Sequence, residues 1–279
     1  MEQTWMKVIE PKNRLLDLKL DELWRYRDLI MMFVKRNFSS QYKQTVLGPL
    51  WFLIQPFITT VLFTIVFGNI ANISTDGVPQ FIFYMAGNTA WLYFSTCLTS
   101  TANTFVSNAA IFGKVYFPRL TMPISSVIFA LITFGIQFAM FIGFLIYYVC
   151  VGSVNPNITI LYLPLYILQM AMLGLGFGII ISSLTTKYRD LTVLVSFGVQ
   201  LWMYITPIVY PVSTMSDKMY KLIMLNPMAP VINNFKYSFL GCGRMEYQFW
   251  LISIIMTCVV LFVGIIIFNR VEKTFMDTV

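Results

Sequence analysis

Apolar residues fall in six long blocks, separated by short polar or Pro/Gly-rich stretches. Residues 120–186 run 67 positions without one Asp, Glu, Lys, Arg or His. As a helix that stretch would be about 100 Å long at ~1.5 Å per residue. A bilayer core is ~30 Å thick and takes about 20 apolar residues per crossing. The stretch therefore crosses twice, and the sequence GSVNPN at 152–157 supplies the turn. Spans are predicted at about 50–70, 81–104, 124–151, 158–184, 191–210 and 250–268, none containing Asp, Glu, Lys or Arg. The pattern predicts an all-α integral membrane protein with six transmembrane helices. Residues 1–47 form a cytoplasmic N-terminal segment without a signal-peptide core, and 48–279 form the transmembrane domain.

Charge sets the orientation. Alternate connections place 15 Lys/Arg on one side and four on the other. The positive-inside rule puts both termini in the cytoplasm. The net charge of +7 thus reflects topology and not nucleic-acid binding, because the cations flank apolar segments. Charged residues are 11% of the chain, against ~25% in soluble domains. The exception is the outer connection 211–248, which holds Lys218, Lys221, Lys236 and Arg244. Four cysteines without a C-x-x-C pair, and no histidine, argue for no metal or redox site and for buried thiols.

Three segments carry mechanism. Over 20–44, Leu20, Leu23, Trp24, Ile30, Met31, Val34, Phe38 and Tyr42 share one helical face, and Arg25, Lys35 and Arg36 lie on the other. This is an amphipathic interfacial helix, with Arg27 as a misfit on the apolar face. It serves either as a membrane anchor or as a lever for a cytoplasmic partner. The following Gly48-Pro49 redirects the chain, and Gln55-Pro56 predicts a helix break inside the membrane. The second segment is GKVYFPRLTMP at 113–123, where Lys114, Tyr116, Phe117 and Arg119 crowd together. Exposed aromatics among cations fit either a docking knob for another protein or an interfacial anchor.

The third segment is LWMYITPIVYP at 201–211, where Pro207 and Pro211 break the fifth span. Downstream, LNPMAPVINNFKYSFLG at 225–241 predicts a short apolar helix with Ile232, Phe235 and Phe239 on one side. It is too short to cross, so it dips in and returns. Inside the fourth span, Gly174, Gly176 and Gly178 read as a close helix-packing face. No G-x-x-x-x-G-K-[ST] phosphate loop occurs.

The order of these motifs (the interfacial helix, YKQTVLGPLWFLIQP, KVYFPRLTMP, KYRDL at 187–191, TPIVYP and LNPMAPV) resembles the membrane subunit of bacterial polysaccharide ATP-binding-cassette exporters. This type-2 family exports O antigen, capsule and teichoic acid. The resemblance implies a permease homodimer bound to two copies of a separate ATPase, which holds ATP and Mg, with no cofactor or catalytic residue in this chain. It also implies an interfacial helix, a cytoplasmic coupling helix after the second span, and re-entrant helices before the sixth. Substrates would be glycans on undecaprenyl diphosphate, O antigen first, crossing the inner membrane. Family pores have apolar and aromatic walls, which nominates Trp51, Gln55, Tyr84, Trp91, Tyr93, Trp202 and Tyr204 for the substrate path. The outer gate would comprise Pro207, Pro211, Lys218, Lys221, Lys236 and Arg244, with the cations meeting either headgroups or the lipid diphosphate. The rivals are a secondary transporter or a membrane-embedded enzyme of lipid-linked glycan metabolism. They would need an intramembrane relay or clustered catalytic groups, which the spans lack.

Overall fold

The computed structural model describes residues 20–42, 47–112, 117–185 and 190–274, and these contain helices and connections but no strand. Four helical stretches are long and apolar enough to cross a membrane: Gly48–Ile70, Thr121–Cys150, Ile158–Thr185 and Tyr247–Val271. They correspond to the first, third, fourth and sixth predicted spans.

The N-terminal amphipathic segment is two helices, α1 (Leu20–Arg25) and α2 (Arg27–Tyr42), parted by a turn at Tyr26. That turn shifts the apolar face. Leu23, Ile30 and Val34 are buried as the periodicity predicts, but Trp24 and Met31 are exposed and Phe33 is buried in their stead. Arg27 stays exposed, its guanidinium 5.8 Å from the Trp24 ring centroid and 4.0 Å from the Asp28 carboxylate. Ile30 and Val34 pack with Phe52 and Phe129, so α2 lies against the membrane helices and not beside them.

Gly48, at φ +49°, turns the chain, and Pro49 opens the 3-10 turn Gly48–Leu50 that leads into α3 (Trp51–Phe63). The expected break at Gln55-Pro56 does not occur. Pro56 sits inside α3, buried, and the Asn88 amide donates to its carbonyl oxygen at 3.3 Å. The irregularity comes later, as the π-helical turn Thr64–Ile70. Thr60 Oγ1 also donates to the Pro56 carbonyl, at 2.8 Å, and the helix widens only at Thr64.

α4 (Gln80–Ala102) is the centre of the bundle. It packs on α7 (Leu163–Thr185), α6 (Thr121–Cys150), α3 and α10 (Ala229–Leu240). Its 23 residues span about 34 Å, enough to cross. It is less apolar than the other long helices because protein, not lipid, surrounds it. Asn88, Thr89 and Thr101 are buried on it. The seam to α7 is built on glycines as predicted: a Cβ on Gly174 would lie 2.7 Å from Cys97 Cβ, and one on Gly178 2.5 Å from Thr101 Cβ. Gly176 faces the other way, towards Leu261 on α11 (Tyr247–Thr274).

After α4 the chain bends at Asn103 into α5 (Thr104–Phe112). The predicted turn 152–157 is present, with Gly152 at φ +76°, and leads through Ile158–Tyr162 into α7. α8 (Leu191–Ile205) is apolar and mostly exposed, and at 15 residues spans only about 22 Å. It ends at Ile205, two residues before Pro207, so the predicted proline break is present but the helix is shorter than the predicted 191–210 span. α9 (Asp217–Met224) and α10 follow, then α11. Of the four cysteines, Cys97 and Cys242 are buried, but Cys150 and Cys258 are exposed, contrary to the uniform burial expected from composition.

Candidate functional site

Two clusters gather the motifs, one at each end of the bundle. At the end carrying α2 and α5, Phe33, Phe105, Phe112, Phe117, Met122, Ile179 and Phe268 form a separate core. Phe117 stands between Phe33 and Phe112, its ring centroid 5.7 Å from each. The expected exposed knob is therefore corrected at this position: Phe117 is 5% exposed. The physical reason is local. Rings from α2 and α5 offer an apolar pocket, and a phenyl ring gains more there than in water. Arg119 keeps its charge partly exposed, 5.7 Å from the Phe112 ring centroid. Lys114 and Tyr116 lie outside the described residues, as do Lys187, Tyr188 and Arg189 of the KYRDL motif.

The same cluster ties the interfacial helix to α5 by a polar contact. Arg36 donates to Asn108 Oδ1 at 3.0 Å and lies 4.8 Å from the Phe33 ring centroid. Arg25 and Lys35 are exposed on the outer side of α1 and α2. Sequence reasoning missed Asn108 and Phe33. Neither is informative until α2 and α5 are known to touch.

At the opposite end, LWMYITPIVYP and LNPMAPVINNFKYSFLG fold against each other. α8 cannot continue, because Pro207 and Pro211 have no N–H to donate. Its frayed end is held by Asn226. Trp202 Nε1 donates to Asn226 Oδ1 at 2.9 Å, Asn226 Nδ2 donates to Thr206 Oγ1 at 2.9 Å, and the Met228 N–H donates to Asn226 Oδ1 at 3.1 Å. Asn226 was not singled out from sequence, although an Asn before Pro between two broken helices is the signal that could have found it.

α10 is buried on nearly every side, with Ile232, Phe235 and Phe239 in the main core. Gly241 ends it at φ +71°. Around it, Asn157 Nδ2 donates to the Tyr237 carbonyl at 3.1 Å. Trp250 Nε1 donates to Gln169 Oε1 at 2.8 Å, and Gln169 Nε2 to Ser253 Oγ at 2.7 Å. The Ser253 hydroxyl in turn donates to the Pro227 carbonyl. The α9–α10 corner is thus pinned to α7 and α11.

The cations expected on the outer side divide three ways. Lys218 and Lys221 are exposed on α9. Arg244 is ion-paired to Glu246 at 2.7 Å and lies 5.1 Å from the Tyr220 ring centroid. Lys236 is not at the surface: it is buried on α10, and burial pushes its pKa below the ordinary lysine value. Its ammonium donates to the carbonyl oxygens of Pro207 at 2.9 Å and Ile208 at 2.7 Å. As a freely available cation it is corrected, because the buried, non-helical carbonyls of Pro207 and Ile208 need a donor. Pro207 and Pro211 are themselves buried.

The nominated path residues also divide. Tyr84, Trp91 and Tyr93 are at most 3% exposed, so within this chain they are core and not wall. They lie on the buried faces of α4; only a stripe of Leu92, Ser95, Thr96, Thr99 and Ser100 on that helix is partly exposed beyond its first turn. Trp202 is half-buried among Trp91, Phe94 and Phe177, at 6.1, 5.2 and 5.3 Å between centroids. Trp51, Gln55 and Tyr204 remain exposed, on α3 and α8.

Comparison with known proteins places this geometry. The sequence signature of the ABC-2 type transporter family matches residues 28–240, from the start of α2 to the end of α10. Over 252 residues, 90% of this chain and 94% of the relative, the chain is 27% identical to the O-antigen export system permease protein RfbA of Klebsiella pneumoniae. A protein of the same name from Myxococcus xanthus is 27% identical over 221 residues, 78% of this chain and 82% of the relative. With four long apolar helices among the described residues and a signature that runs over 28–240, this multi-pass membrane chain belongs to the ABC-2 type transporter family.

Proposed function

We propose that this chain is the permease subunit of an ATP-driven exporter that moves a lipid-linked polysaccharide, O antigen on undecaprenyl diphosphate, across the bacterial inner membrane. The observation that carries the reading is the near end-to-end similarity to proteins named O-antigen export permeases. Two copies of the chain would assemble with two copies of a separate ATPase, which binds ATP and Mg. Both termini would face the cytoplasm, which the distribution of Lys/Arg supports. α4 and α8 complete six spans, α4 sheltered inside the bundle and α8 shortened by its proline end. α9 and α10 form the re-entrant corner before the last span.

In this reading α2, α5 and the segment through Arg119 receive the ATPase stroke. Trp51, Gln55 and Tyr204 keep their place as path residues because they are exposed. Tyr84 and Tyr93 are core packing of α4, and Trp91 seats Trp202 of α8 against that core. Lys218 and Lys221 are the outer cations still free to meet phosphate.

The test is deletion of the gene followed by mass spectrometry of lipid-linked glycan. Accumulation of an undecaprenyl-linked O antigen inside the cell is expected, and an unchanged glycan pool would overturn the reading. The purified chain alone is expected to hydrolyse no ATP, since no phosphate-cradling loop is present. Measurable turnover without a partner would count against the division of labour. Lys218→Gln with Lys221→Gln should slow release of the anionic lipid while leaving ATPase stimulation intact. Export at the unaltered rate would leave both lysines as headgroup contacts only.

A further inference from the structure

A buried lysine with no carboxylate in ion-pair range among the described residues is unusual, because a desolvated cation needs strong compensation. Lys236 finds it in two backbone carbonyls and one aromatic face. Besides the Pro207 and Ile208 oxygens, its Nζ stands 3.6 Å from the Phe83 ring centroid on α4. Room for the side chain is made by Gly87, also on α4. A Cβ there would lie 2.9 Å from Lys236 Cε and 3.0 Å from the Ile208 carbonyl oxygen. Beside it lies a small cavity lined in part by Asp76, Tyr210, Asn233 and Cys242. Asp76 accepts a 2.6 Å hydrogen bond from Ser213, which brings the first outer connection onto the same segment.

This arrangement joins three elements through one side chain. Thr206, one residue before the contact, is fixed independently by Asn226. Between Pro207 and Pro211 there is no helix to hold the backbone. Carbonyl oxygens are neutral partners, and the Asp76 carboxylate across the cavity favours the charged lysine without touching it, so breaking the contact separates no direct ion pair. We propose that Lys236 is the latch of the outer end of α8: it holds residues 207–211 closed against α10 and α4, and its release lets that segment swing while Thr206 stays anchored. The consequence for transport rests on the exporter reading, but the latch itself can be tested without any substrate.

Cys242 is the reporter, since it lines the same cavity and is 7% exposed. Cys97, Cys150 and Cys258 are replaced by Ala, and Cys242 labelling by a membrane-impermeant maleimide is followed from the outer side. Lys236→Met removes a cation that favours the Cys242 thiolate, which alone would slow labelling, so a rise of at least about tenfold is the access effect expected of an opened latch. Gly87→Ala, which keeps the lysine but crowds its stem, should give the same rise. Unchanged labelling in whichever of the two accumulates in the membrane would overturn the latch and leave Lys236 as core packing. Where neither accumulates, the unsubstituted latch is read with the ATPase partner bound: faster labelling during ATP turnover supports it, and labelling indifferent to turnover overturns it. Loss of glycan export with unchanged labelling would sink the latch but not the transport function. Faster labelling in a protein that exports no glycan would do the reverse.

Discussion

Gly178→Leu is expected to remove most of the folded protein from the membrane. Even a single Cβ at this site would approach Thr101 Cβ to 2.5 Å and the Leu98 carbonyl oxygen to 2.9 Å. Leucine adds three more carbons to a seam where two backbones already touch. Overpacking of this kind costs about 1–3 kcal/mol, occasionally more. Here neither side can yield easily: α4 is enclosed by four other helices, and Gly174 one turn away meets Cys97 in the same groove. A cost of about 3 kcal/mol is a factor of roughly 150 in the folded population. Gly143→Leu is the matched control, since a Cβ at Gly143 meets nothing within 4 Å. Membrane levels and detergent-solubilised Tm of the two variants decide the matter. A Gly178→Leu protein as abundant and as heat-stable as the control would mean that the α4–α7 seam separates without penalty.

How much of this was legible depends on how far apart the partners lie in the chain. Hydropathy alone locates the apolar blocks, since crossing a bilayer is a property of each segment by itself. The end of α8 before Pro207 and the turn at Gly152 are likewise local backbone facts. The glycine seam could be read from Gly174 and Gly178, four apart on one face, because small residues so spaced have few other uses, whereas Gly176 belongs to a second contact, with α11. What could not be read is every feature whose meaning lies in a distant neighbour. Lys236 looks like an outer-loop cation until the Pro207 and Ile208 carbonyls, 29 and 28 residues earlier, are placed beside it. Tyr84, Trp91 and Tyr93 look like pore aromatics until α4 is found at the centre of the bundle. Pro56 looks like a break until Asn88, 32 residues on, is seen to bond its carbonyl. In each case the residue type was noticed and the environment was not.

The second large effect is expected where the interfacial helix meets the segment after α5. Phe33→Ala should leave the chain able to bind its ATPase partner yet lower the polysaccharide exported per ATP hydrolysed. Phe33 and Phe117 touch at 5.7 Å between centroids, and Phe112 completes the set on the far side of Phe117. An aromatic pair of this geometry contributes about 0.5–1.5 kcal/mol beyond simple burial. That corresponds to roughly a twofold to tenfold change in how often α2 and the Phe117 segment move as one body. The Arg36–Asn108 contact at 3.0 Å is exposed, so it guides the approach of the two helices but holds them weakly. Phe33→Ala, Phe117→Ala and the double variant form a cycle, read as export per ATP at matched membrane levels. If the contact carries the stroke, the double variant is no worse than either single one, because the same link is already cut. Strictly multiplicative losses would show that the two rings act separately, with Phe117 serving the α5 core and Phe33 only anchoring α2. Arg119→Ala separates the remaining role. Its side chain is partly exposed, and the exporter reading gives it a contact with the ATPase, so its loss should weaken assembly and not coupling.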